Sequence, residues 1–276
     1  MSRLESKVAF ITGAARGQGR SHAVRLAAEG ADIVGIDICR QLDSVNYAMS
    51  TPDDLAETVR QVESRGGRML GIEADVRDLD GMHAAVARGL REFGRLDIVL
   101  ANAGVMTQSL PPHEKSRDAW RDGIDVLLTG VWHTLQATYQ PLIDGARGGS
   151  IVITSSSQGL RPFFSDLSGG FDSYAAAKAG VIGLMRSYAA TLAEWNIRVN
   201  SIHPTGVNTP MVVNEFFGEY MEKSNPKTAA RVVNALPVEL VEPIDVSEAV
   251  LYLVCESGRY VTGTCLPVDA GLVFAG

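Results

Sequence analysis

The sequence has few of the features that mark secreted, membrane-bound or nucleic-acid-binding proteins. Its three cysteines, Cys39, Cys255 and Cys265, form no C-x-x-C pair, which argues against a disulfide framework and predicts a reduced, cytoplasmic protein. The five histidines are scattered, so we predict no metal site. The net charge of −7 provides no basic surface for nucleic acid. The apolar run at residues 8–11 is too short for a signal peptide or a membrane span.

What the sequence does contain is a regular alternation of short β-rich runs and longer helical patterns. Strands are predicted at Val8–Thr12, Asp32–Asp37, Arg68–Glu73, Leu96–Ala101, Ser150–Ser155, Ile197–His203 and Thr264–Val268. Helices are predicted at residues 18–29, 53–65, 79–93, 115–144, 173–195 and 245–255. This order is typical of an α/β fold with a doubly wound parallel sheet covered on both faces. No break in the alternation indicates a second domain, so residues 1–276 are expected to form one Rossmann-like unit.

Three segments fit this minimal plan poorly, namely residues 38–52, 157–172 and 205–243. Long loops in compact domains are usually functional, so we expect these segments to lie around a site.

The turn after the first predicted strand is rich in glycine and reads T-G-A-A-R-G-Q-G over Thr12–Gly19. Glycines allow a tight turn and a close approach of the backbone to a pyrophosphate, and the following helix offers its N-terminal N–H groups to the phosphates. We therefore predict dinucleotide contacts from Gly13, Arg16, Gln18 and Gly19. A purely structural glycine turn is the alternative.

The end of the second strand carries an acidic residue, Asp37. A carboxylate there can accept hydrogen bonds from both ribose hydroxyls and repels a 2′-phosphate, which favours NAD over NADP. Arg16 and Arg40 argue the other way, because either could pair with a phosphate. We give Asp37 more weight because it stands at the strand end.

Two later strand ends extend this candidate cofactor site. Asp75 could accept from the adenine amino group with Val76 against the ring, although capping of the next helix is an alternative that suits Asp78 better. The fourth strand ends in Asn102, Ala103 and Gly104, whose small size lets the backbone approach a cofactor, and Asn102 can brace the strand ends.

The segment S-Y-A-A-A-K contains Tyr174 and Lys178, which share one face of a helix. Tyrosine ionises near pH ~10, and a neighbouring ammonium favours the phenolate and lowers that pKa. Beside a nicotinamide, this pair would accept a proton from an alcohol. The motif alone is weak, because the same spacing arises by chance on helix surfaces.

Taken together, these motifs resemble the short-chain dehydrogenase/reductase family, and they occur in the family's order over almost the whole chain. The resemblance implies a seven-stranded Rossmann sheet and a homotetramer. It also implies that Ser156, chosen over Ser155 and Ser157 by its distance from Gly159, holds the substrate oxygen. Tyr174 would be the general acid/base, and Lys178 would bind the nicotinamide ribose.

The resemblance further assigns the turn after the sixth strand to the nicotinamide. Thr209 would hydrogen-bond the carboxamide, Val207 would offer its backbone, and Pro204 would begin this turn. Two positions depart from the family pattern. Leu127 replaces an asparagine that normally helps to hold a proton-relay water, and Thr205 replaces a common glycine.

The spacing from Ser156 to Tyr174 exceeds the family's usual one, so residues 160–172 carry an insertion beside the site. A second insertion, residues 38–52, resembles that of the actinobacterial carveol dehydrogenases, also called mycofactocin-coupled dehydrogenases. In that subgroup the loop is thought to cover the NAD, which turns over in place and passes its electrons to an external acceptor. A solvated surface loop is the alternative.

These features predict an NAD-dependent oxidoreductase for a small or medium apolar secondary alcohol or its ketone. Apolar residues from Met211 to Met221 fit an apolar pocket, although a helix packed on the core would give the same pattern. A polyol, sugar or steroid dehydrogenase is the second hypothesis. A catalytically impaired NAD-binding protein, supported by Leu127 alone, is the third.

Overall fold

The computed structural model of the chain describes residues 2–108, 116–163, 165–223 and 232–275. Seven parallel strands form one sheet in the order β3-β2-β1-β4-β5-β6-β7, which confirms the predicted doubly wound sheet. The strands are β1 (Val8–Thr12), β2 (Asp32–Asp37), β3 (Met69–Glu73), β4 (Ile98–Ala101), β5 (Gly149–Thr154), β6 (Ile197–Pro204) and β7 (Cys265–Val268).

Helices flank both faces of the sheet. Those within the described residues are α1 (Gly17–Ala27), α2 (Pro52–Glu63), α3 (Leu79–Phe93), α4 (Ser116–Ile124), α5 (Gly130–Gly145), α6 (Ser157–Leu160), α7 (Gly169–Leu192), α8 (Glu215–Lys223), α9 (Pro243–Val254) and α10 (Leu272–Ala275). Short 3₁₀ turns follow α7 at Ala193–Trp195 and α9 at Glu256–Gly258. Among the described residues, none of these helices combines the length and apolarity that a membrane crossing requires.

The central strands are buried because helices cover both sides of them. Every residue of β1 and β4 is buried, as expected for strands with continuous apolar sequences in a parallel sheet. The apolar side chains form two clusters, one on each face of the sheet. The carboxyl ends of β1 and β4 meet where the strand order reverses, which is where ligands bind in folds of this kind.

The predicted helix 115–144 begins outside the described residues and is interrupted within them. Between α4 and α5 the chain forms a π-helical segment over Asp125–Thr129, closed by a hydrogen bond from Gly130 N to Asp125 O. A side chain at Gly130 would bring Cβ to 2.6 Å from Val76 Cγ2, so the glycine allows α5 to pass close to the end of β3. Pattern analysis missed this break because a π turn changes the hydrogen-bond register without changing the apolar periodicity.

The short helices α6 and α10 were not predicted, whereas a helix at α8 was one of two interpretations of the apolar residues from Met211 to Met221. All three lie near the carboxyl edge of the sheet. By contrast, local capping defines the start of α2, where Thr51 and Asp54 form a reciprocal capping box before Pro52. Residues 38–51, which we call the β2–α2 loop, connect the end of β2 to this cap.

Candidate active site

The glycine turn between β1 and α1 can be built only with glycines at its close contacts. Gly13 has a φ of +69°, and a Cβ there would lie 2.8 Å from Ala103 Cα. A Cβ at Gly19 would lie 1.9 Å from Gly13 O. The missing side chains leave the N-terminus of α1 open toward a groove lined by both glycines.

Two residues of the same turn project into the groove. Gln18 has a buried side-chain oxygen with no hydrogen-bond partner among the described residues, so a ligand donor is the group that would satisfy it. Gly17 faces Thr209, whose Cγ2 would lie 3.3 Å from a Cβ at that glycine. Thr209 thus forms the opposite wall of the groove, as the predicted nicotinamide contact requires.

Asp37 lies at the end of β2, is buried and lines the groove. Its Oδ2 accepts from Ala15 N at 2.9 Å, and its Oδ1 accepts from Ser50 Oγ at 2.5 Å and from Cys39 N at 3.3 Å. Since Ser50 belongs to the β2–α2 loop, the residue predicted to read the ribose also fixes this loop. Sequence analysis gave no sign of that second contact.

The two arginines that favour a 2′-phosphate are both paired in the structure. Arg16 donates to Ala48 O and lies over the Tyr47 ring at 6.0 Å from its centroid. Arg40 donates to Asp75 Oδ2 at 2.9 Å. Both guanidinium groups therefore already have a hydrogen-bond partner within the protein.

Asp75 and Val76 line the groove where the adenine would lie. The Asp75 carboxylate accepts from the backbone and the guanidinium of Arg77 as well as from Arg40. These hydrogen bonds hold the pKa of Asp75 below its usual value despite its partial burial. The cap of α3 is Asp78, whose Oδ1 accepts from Gly81 N at 3.1 Å, as the sequence suggested.

Asn102 connects the ends of three strands. Its backbone N–H and that of Ala103 each donate to Thr12 Oγ1 at 2.9 Å, and its Nδ2 donates to Thr12 O at 3.0 Å. Thr154 Oγ1 donates to Asn102 Oδ1 at 3.4 Å. These bonds hold β1, β4 and β5 in register, and Gly104 continues the wall between the groove and the cavity beyond it.

The β2–α2 loop packs over the groove as an ordered cover. Its side chains Leu42, Val45 and Tyr47 are buried in the apolar cluster that also contains Val76 and Val126. This packing favours a covering loop over a solvated one.

Polar contacts join the same loop to two other parts of the chain. Ser44 Oγ donates to Asp122 Oδ2 at 2.6 Å on α4, and Asn46 Nδ2 donates to Gln108 O at 2.6 Å. Tyr47 Oη accepts from Met106 N at 3.3 Å.

The predicted catalytic residues come together at the end of β5 and on α7. Ser156 caps α6, its Oγ accepting from Gln158 N at 3.1 Å, and it hydrogen-bonds the side chain of Tyr174. Lys178 lies one turn after Tyr174, with its Nζ 5.7 Å from the tyrosine ring centroid. The Lys178 Nζ donates to Thr154 O at 2.7 Å. All three side chains line one cavity.

Burial dominates the ionisation of this pair. It raises the pKa of Tyr174 above its ordinary value, and the hydrogen bond from Ser156 offsets only part of that change. Burial also lowers the pKa of Lys178 to about 8. The expected lowering of the tyrosine pKa is therefore not seen here, because desolvation of the phenolate dominates.

His203 is a residue of this site that sequence analysis missed. It is fully buried at the end of β6, its Nδ1 lies 3.0 Å from Ser156 O, and its Nε2 lies 2.8 Å from Ser201 Oγ. Burial lowers the pKa of His203, so the ring is neutral and can donate from Nδ1 to the Ser156 carbonyl. The histidine immediately before Pro204, at the end of a buried strand, was the available signal.

The two departures from the family pattern both lie in this cavity. Leu127 is fully buried in the π-helical segment, and its Cδ2 would lie 3.2 Å from a Cβ on Gly104. It adds an apolar wall where an asparagine would add an amide. Thr205 Oγ1 donates to Asn234 Oδ1 at 2.9 Å, which ties the turn after β6 to the far wall of the cavity.

The turn after β6 also holds the segment that follows it. Val207 pairs with Val241 through a parallel bridge, with Asn208 N donating to Val241 O at 2.9 Å. Thr209 Oγ1 donates to Val207 O at 3.3 Å, and Pro204 ends β6 against the cavity. The predicted nicotinamide contacts are thus anchored to Val241, two residues before the start of α9.

Beyond the predicted catalytic residues lies a cavity of about 640 Å³. Its wall is mainly apolar and comes from the ends of β4 and β6, from the described part of the insertion at residues 160–172 and from α8. The apolar lining residues include Met106, Phe163, Phe171, Val212, Phe217 and Met221. The sequence left open whether the apolar residues from Met211 to Met221 line a pocket or pack as a helix on the core. Helix α8 does both, since it packs on the protein and lines the cavity. Tyr220 on α8 hydrogen-bonds Asp166 in the insertion, joining the two covering segments.

The described residues contain no group of three or more His, Cys, Asp or Glu side chains placed to hold a metal ion. The site is therefore built from a dinucleotide groove, a Ser–Tyr–Lys cluster and an apolar cavity that share one edge of the sheet. This combination defines a nucleotide-binding α/β oxidoreductase site.

The chain belongs to the short-chain dehydrogenase family, whose model matches residues 7–218. It is 48% identical to (−)-trans-carveol dehydrogenase of Rhodococcus erythropolis over 98% of this chain and 99% of that protein. It is also similar to the crystal structure of carveol dehydrogenase from Mycobacterium avium in complex with NAD (TM-score 0.90, 46% identity, 99% of both chains). A short-chain dehydrogenase from Mycobacterium paratuberculosis bound to NAD gives a TM-score of 0.89 at 43% identity, over 98% of this chain and 99% of that one.

Proposed function

We propose that this protein is an NAD-dependent alcohol dehydrogenase that interconverts an apolar secondary alcohol and its ketone. The observation that carries this proposal is the placement of Ser156, Tyr174 and Lys178 in the wall of an apolar cavity that adjoins the dinucleotide groove. The relatives named for carveol dehydrogenase and the solved structures with NAD support the same assignment.

The groove fits NAD by several independent features of this chain. Gly13 and Gly19 leave room for a pyrophosphate at the N-terminus of α1, and Gln18 presents an unpartnered oxygen. Asp37 places a buried carboxylate where a ribose would lie, while Arg16 and Arg40 are already paired. This arrangement favours NAD over NADP.

Bound NAD would accept or supply hydride at its nicotinamide ring, and the protein would position the groups and transfer the proton. For alcohol oxidation, Ser156 Oγ holds the substrate oxygen and Tyr174 Oη removes the hydroxyl proton. Lys178 holds the nicotinamide ribose and provides positive charge on the same helix face. His203 orients Ser156 through its carbonyl.

The β2–α2 loop supports a second part of the proposal, namely that NAD is retained between turnovers. The loop is packed into the core at Tyr47 and hydrogen-bonded to Asp37 through Ser50. Release of a covered cofactor requires loop opening, so exchange is slow. An external redox acceptor, such as a mycofactocin-type carrier, would then reoxidise the cofactor in place.

The apolar lining favours a small or medium apolar substrate over a polyol or sugar. A steroid-sized substrate stays an alternative, because a cavity of about 640 Å³ exceeds the volume of a single-ring alcohol. The complete Ser156–Tyr174–Lys178 cluster argues against a catalytically impaired binding protein. The homotetramer and the cytoplasmic location remain predictions, to be checked by light scattering and by fractionation.

Single-turnover measurement tests the proposed function. Purified protein is loaded with NAD and mixed with a panel of cyclic secondary alcohols, and nicotinamide reduction is followed by absorbance. We expect a stoichiometric burst with at least one apolar alcohol, and further turnover on addition of an artificial electron acceptor. Absence of reduction with every alcohol, and of reoxidation by every ketone, would refute the assignment.

Nucleotide retention is measured on the same preparation by denaturing the protein and quantifying the nucleotide released per chain. Protein that purifies empty and turns over rapidly with added NAD would refute the retained cofactor but leave the dehydrogenase assignment intact.

A further inference from the structure

Three buried side-chain atoms in the described residues have no hydrogen-bond partner, namely Gln18 Oε1, His22 Nε2 and Gln108 Nε2. Gln18 faces the cofactor groove, where the proposed NAD accounts for it. His22 lies between α1 and α9, where its other ring nitrogen is 2.8 Å from Ser247 Oγ. Gln108 lines the substrate cavity but not the cofactor groove, and the side chain is only 2% exposed.

Gln108 is held in place by its backbone and cannot easily turn away from the cavity. Its carbonyl accepts from Asn46 Nδ2 at 2.6 Å. On the other side, the chain presses against α7, since a Cβ on Gly170 would lie 2.2 Å from Thr107 O and 2.8 Å from Gln108 N. The neighbouring Thr107 Oγ1 donates to Ala119 O at 2.9 Å. The backbone that carries the unpartnered amide is therefore held on both sides at the cavity wall.

Two other carboxamides of this wall, those of Gln158 and Asn234, are hydrogen-bonded within the protein. Gln158 Oε1 accepts from Phe163 N at 3.3 Å, and Asn234 Nδ2 donates to the carbonyls of Val238 and Glu239. A buried N–H without a partner carries a desolvation penalty that a bound acceptor would remove. The Gln108 amide is thus a donor available for a ligand.

We propose that Gln108 is a specificity-determining residue that donates from Nε2 to a second oxygen of the substrate. The reacting oxygen already has the hydroxyls of Ser156 and Tyr174, so the Gln108 donor serves another acceptor on the same molecule. The substrate class is an apolar secondary alcohol or ketone that carries a separate carbonyl, ether or ester oxygen. This inference rests on the proposed function, because it places the reacting carbon at Tyr174.

The experiment compares probes of equal size that differ in one acceptor atom. These are 4-ethylcyclohexanol and 4-methoxycyclohexanol, together with the 3-substituted pair, each tested by single turnover with NAD-loaded protein. We expect wild type to favour the better-placed methoxy compound by about threefold to tenfold, the range of one neutral hydrogen bond. The quantity compared is the single-turnover rate constant divided by the dissociation constant of the alcohol. Gln108→Leu should abolish that preference while keeping activity with the ethyl compound. Met221→Leu, a conservative change elsewhere on the wall, should affect both probes alike.

The corresponding ketones give a readout that is independent of turnover. Calorimetry with the loaded protein should show tighter binding of 4-methoxycyclohexanone or its 3-isomer than of the ethyl ketone in wild type, and equal binding in Gln108→Leu. Equal probe ratios in wild type and Gln108→Leu would overturn the inference, even if both alcohols are oxidised. If no probe is oxidised but the Gln108-dependent binding difference persists, the proposed reaction fails and the binding role of Gln108 stands.

Discussion

The site has two halves, the groove proposed for the cofactor and the cavity proposed for the substrate. They differ in the space that their glycines leave for an added side chain. In the cofactor half, formed by the ends of β1, β2 and β4, a side chain on Gly13 or Gly19 would collide with backbone atoms. In the substrate half, the turn after β6 and helix α8 leave more space, because Gly218 has no atom within 4 Å of an added Cβ and Gly206 would meet only the Leu240 side chain. The start of α7 is tighter, since a Cβ on Gly170 would lie 2.2 Å from Thr107 O. A common cofactor requires fixed backbone geometry, whereas varied substrates require walls that can change.

Tyr174, the proposed acid/base, stands between the two halves, and removal of its hydroxyl should give the largest effect. Tyr174→Phe keeps the ring and the helix but loses the proton-transferring hydroxyl. We expect single-turnover oxidation to fall about 10²–10⁴-fold, while the nucleotide content per chain is unchanged. Retention of a tenth or more of the wild-type rate would remove Tyr174 from the mechanism. Loss of the bound nucleotide would show that the Tyr174 hydroxyl also supports cofactor binding.

Substitution of one glycine in each half tests the comparison directly. Gly19→Ala places Cβ 1.9 Å from Gly13 O, so we expect protein that folds poorly or purifies without nucleotide. Gly218→Ala on α8 should leave nucleotide content unchanged and stabilise the protein by up to about 1 kcal/mol, because alanine favours helix. Thermal unfolding and nucleotide release measure both. Equal changes in unfolding temperature and nucleotide content in the two variants would contradict the difference in space between the two halves.

The pH dependence should report the burial of the tyrosine. In the proposed mechanism oxidation requires the Tyr174 phenolate, and burial raises the pKa of Tyr174 above its ordinary value of 10.0. The phenolate fraction therefore grows about tenfold per pH unit, and the single-turnover oxidation rate should still rise between about pH 7 and about pH 10. Ketone reduction, which uses the protonated form, should show no such rise. A plateau in oxidation below about pH 8 would mean that the tyrosine pKa is lowered in the complex.

Asp37, the predicted ribose contact, also accepts from Ser50 in the β2–α2 loop, so its replacement should weaken both cofactor binding and the hold on this loop. Asp37→Ala should reduce NAD affinity relative to NADP and should speed nucleotide release, because Ser50 loses its acceptor. Ser50→Ala is the matched control, which should speed release without changing the preference between NAD and NADP. We expect effects of about tenfold from the loss of hydrogen bonds to a charged group. An unchanged preference in Asp37→Ala would assign that choice to another residue.

The smallest effect is expected at the contact between the two covering segments of the substrate half. Tyr220→Phe removes the hydroxyl that binds Asp166 and keeps the apolar ring in the cavity wall. We expect KM for an apolar alcohol to rise about threefold to tenfold, the range of one hydrogen bond, with the hydride-transfer rate and nucleotide content unchanged. Asp166→Asn keeps an acceptor and should have a weaker effect. A fall in nucleotide content would show coupling between the halves.

The sequence by itself determined the sheet and predicted a site at its carboxyl edge. Short apolar runs identified all seven strands, and the glycine turn, Asp37 and the Tyr174–Lys178 spacing predicted the cofactor and catalytic contacts, because each pattern depends on neighbours within a few residues of the chain. The assignment of individual contacts within the site, such as Asp75 to adenine, stays a prediction.

Tertiary structure alone decided how distant segments share the site. The bonds from His203 to Ser156, from Ser50 to Asp37 and from Asn46 to Gln108 join residues far apart in sequence, and no local pattern encodes such pairs. The π-helical break was also hidden, because it changes hydrogen bonding without changing apolar spacing. The effect of burial on the tyrosine was hidden in the same way. The Tyr174–Lys178 spacing indicated a lowered tyrosine pKa, but desolvation, which only the packed structure reveals, raises it.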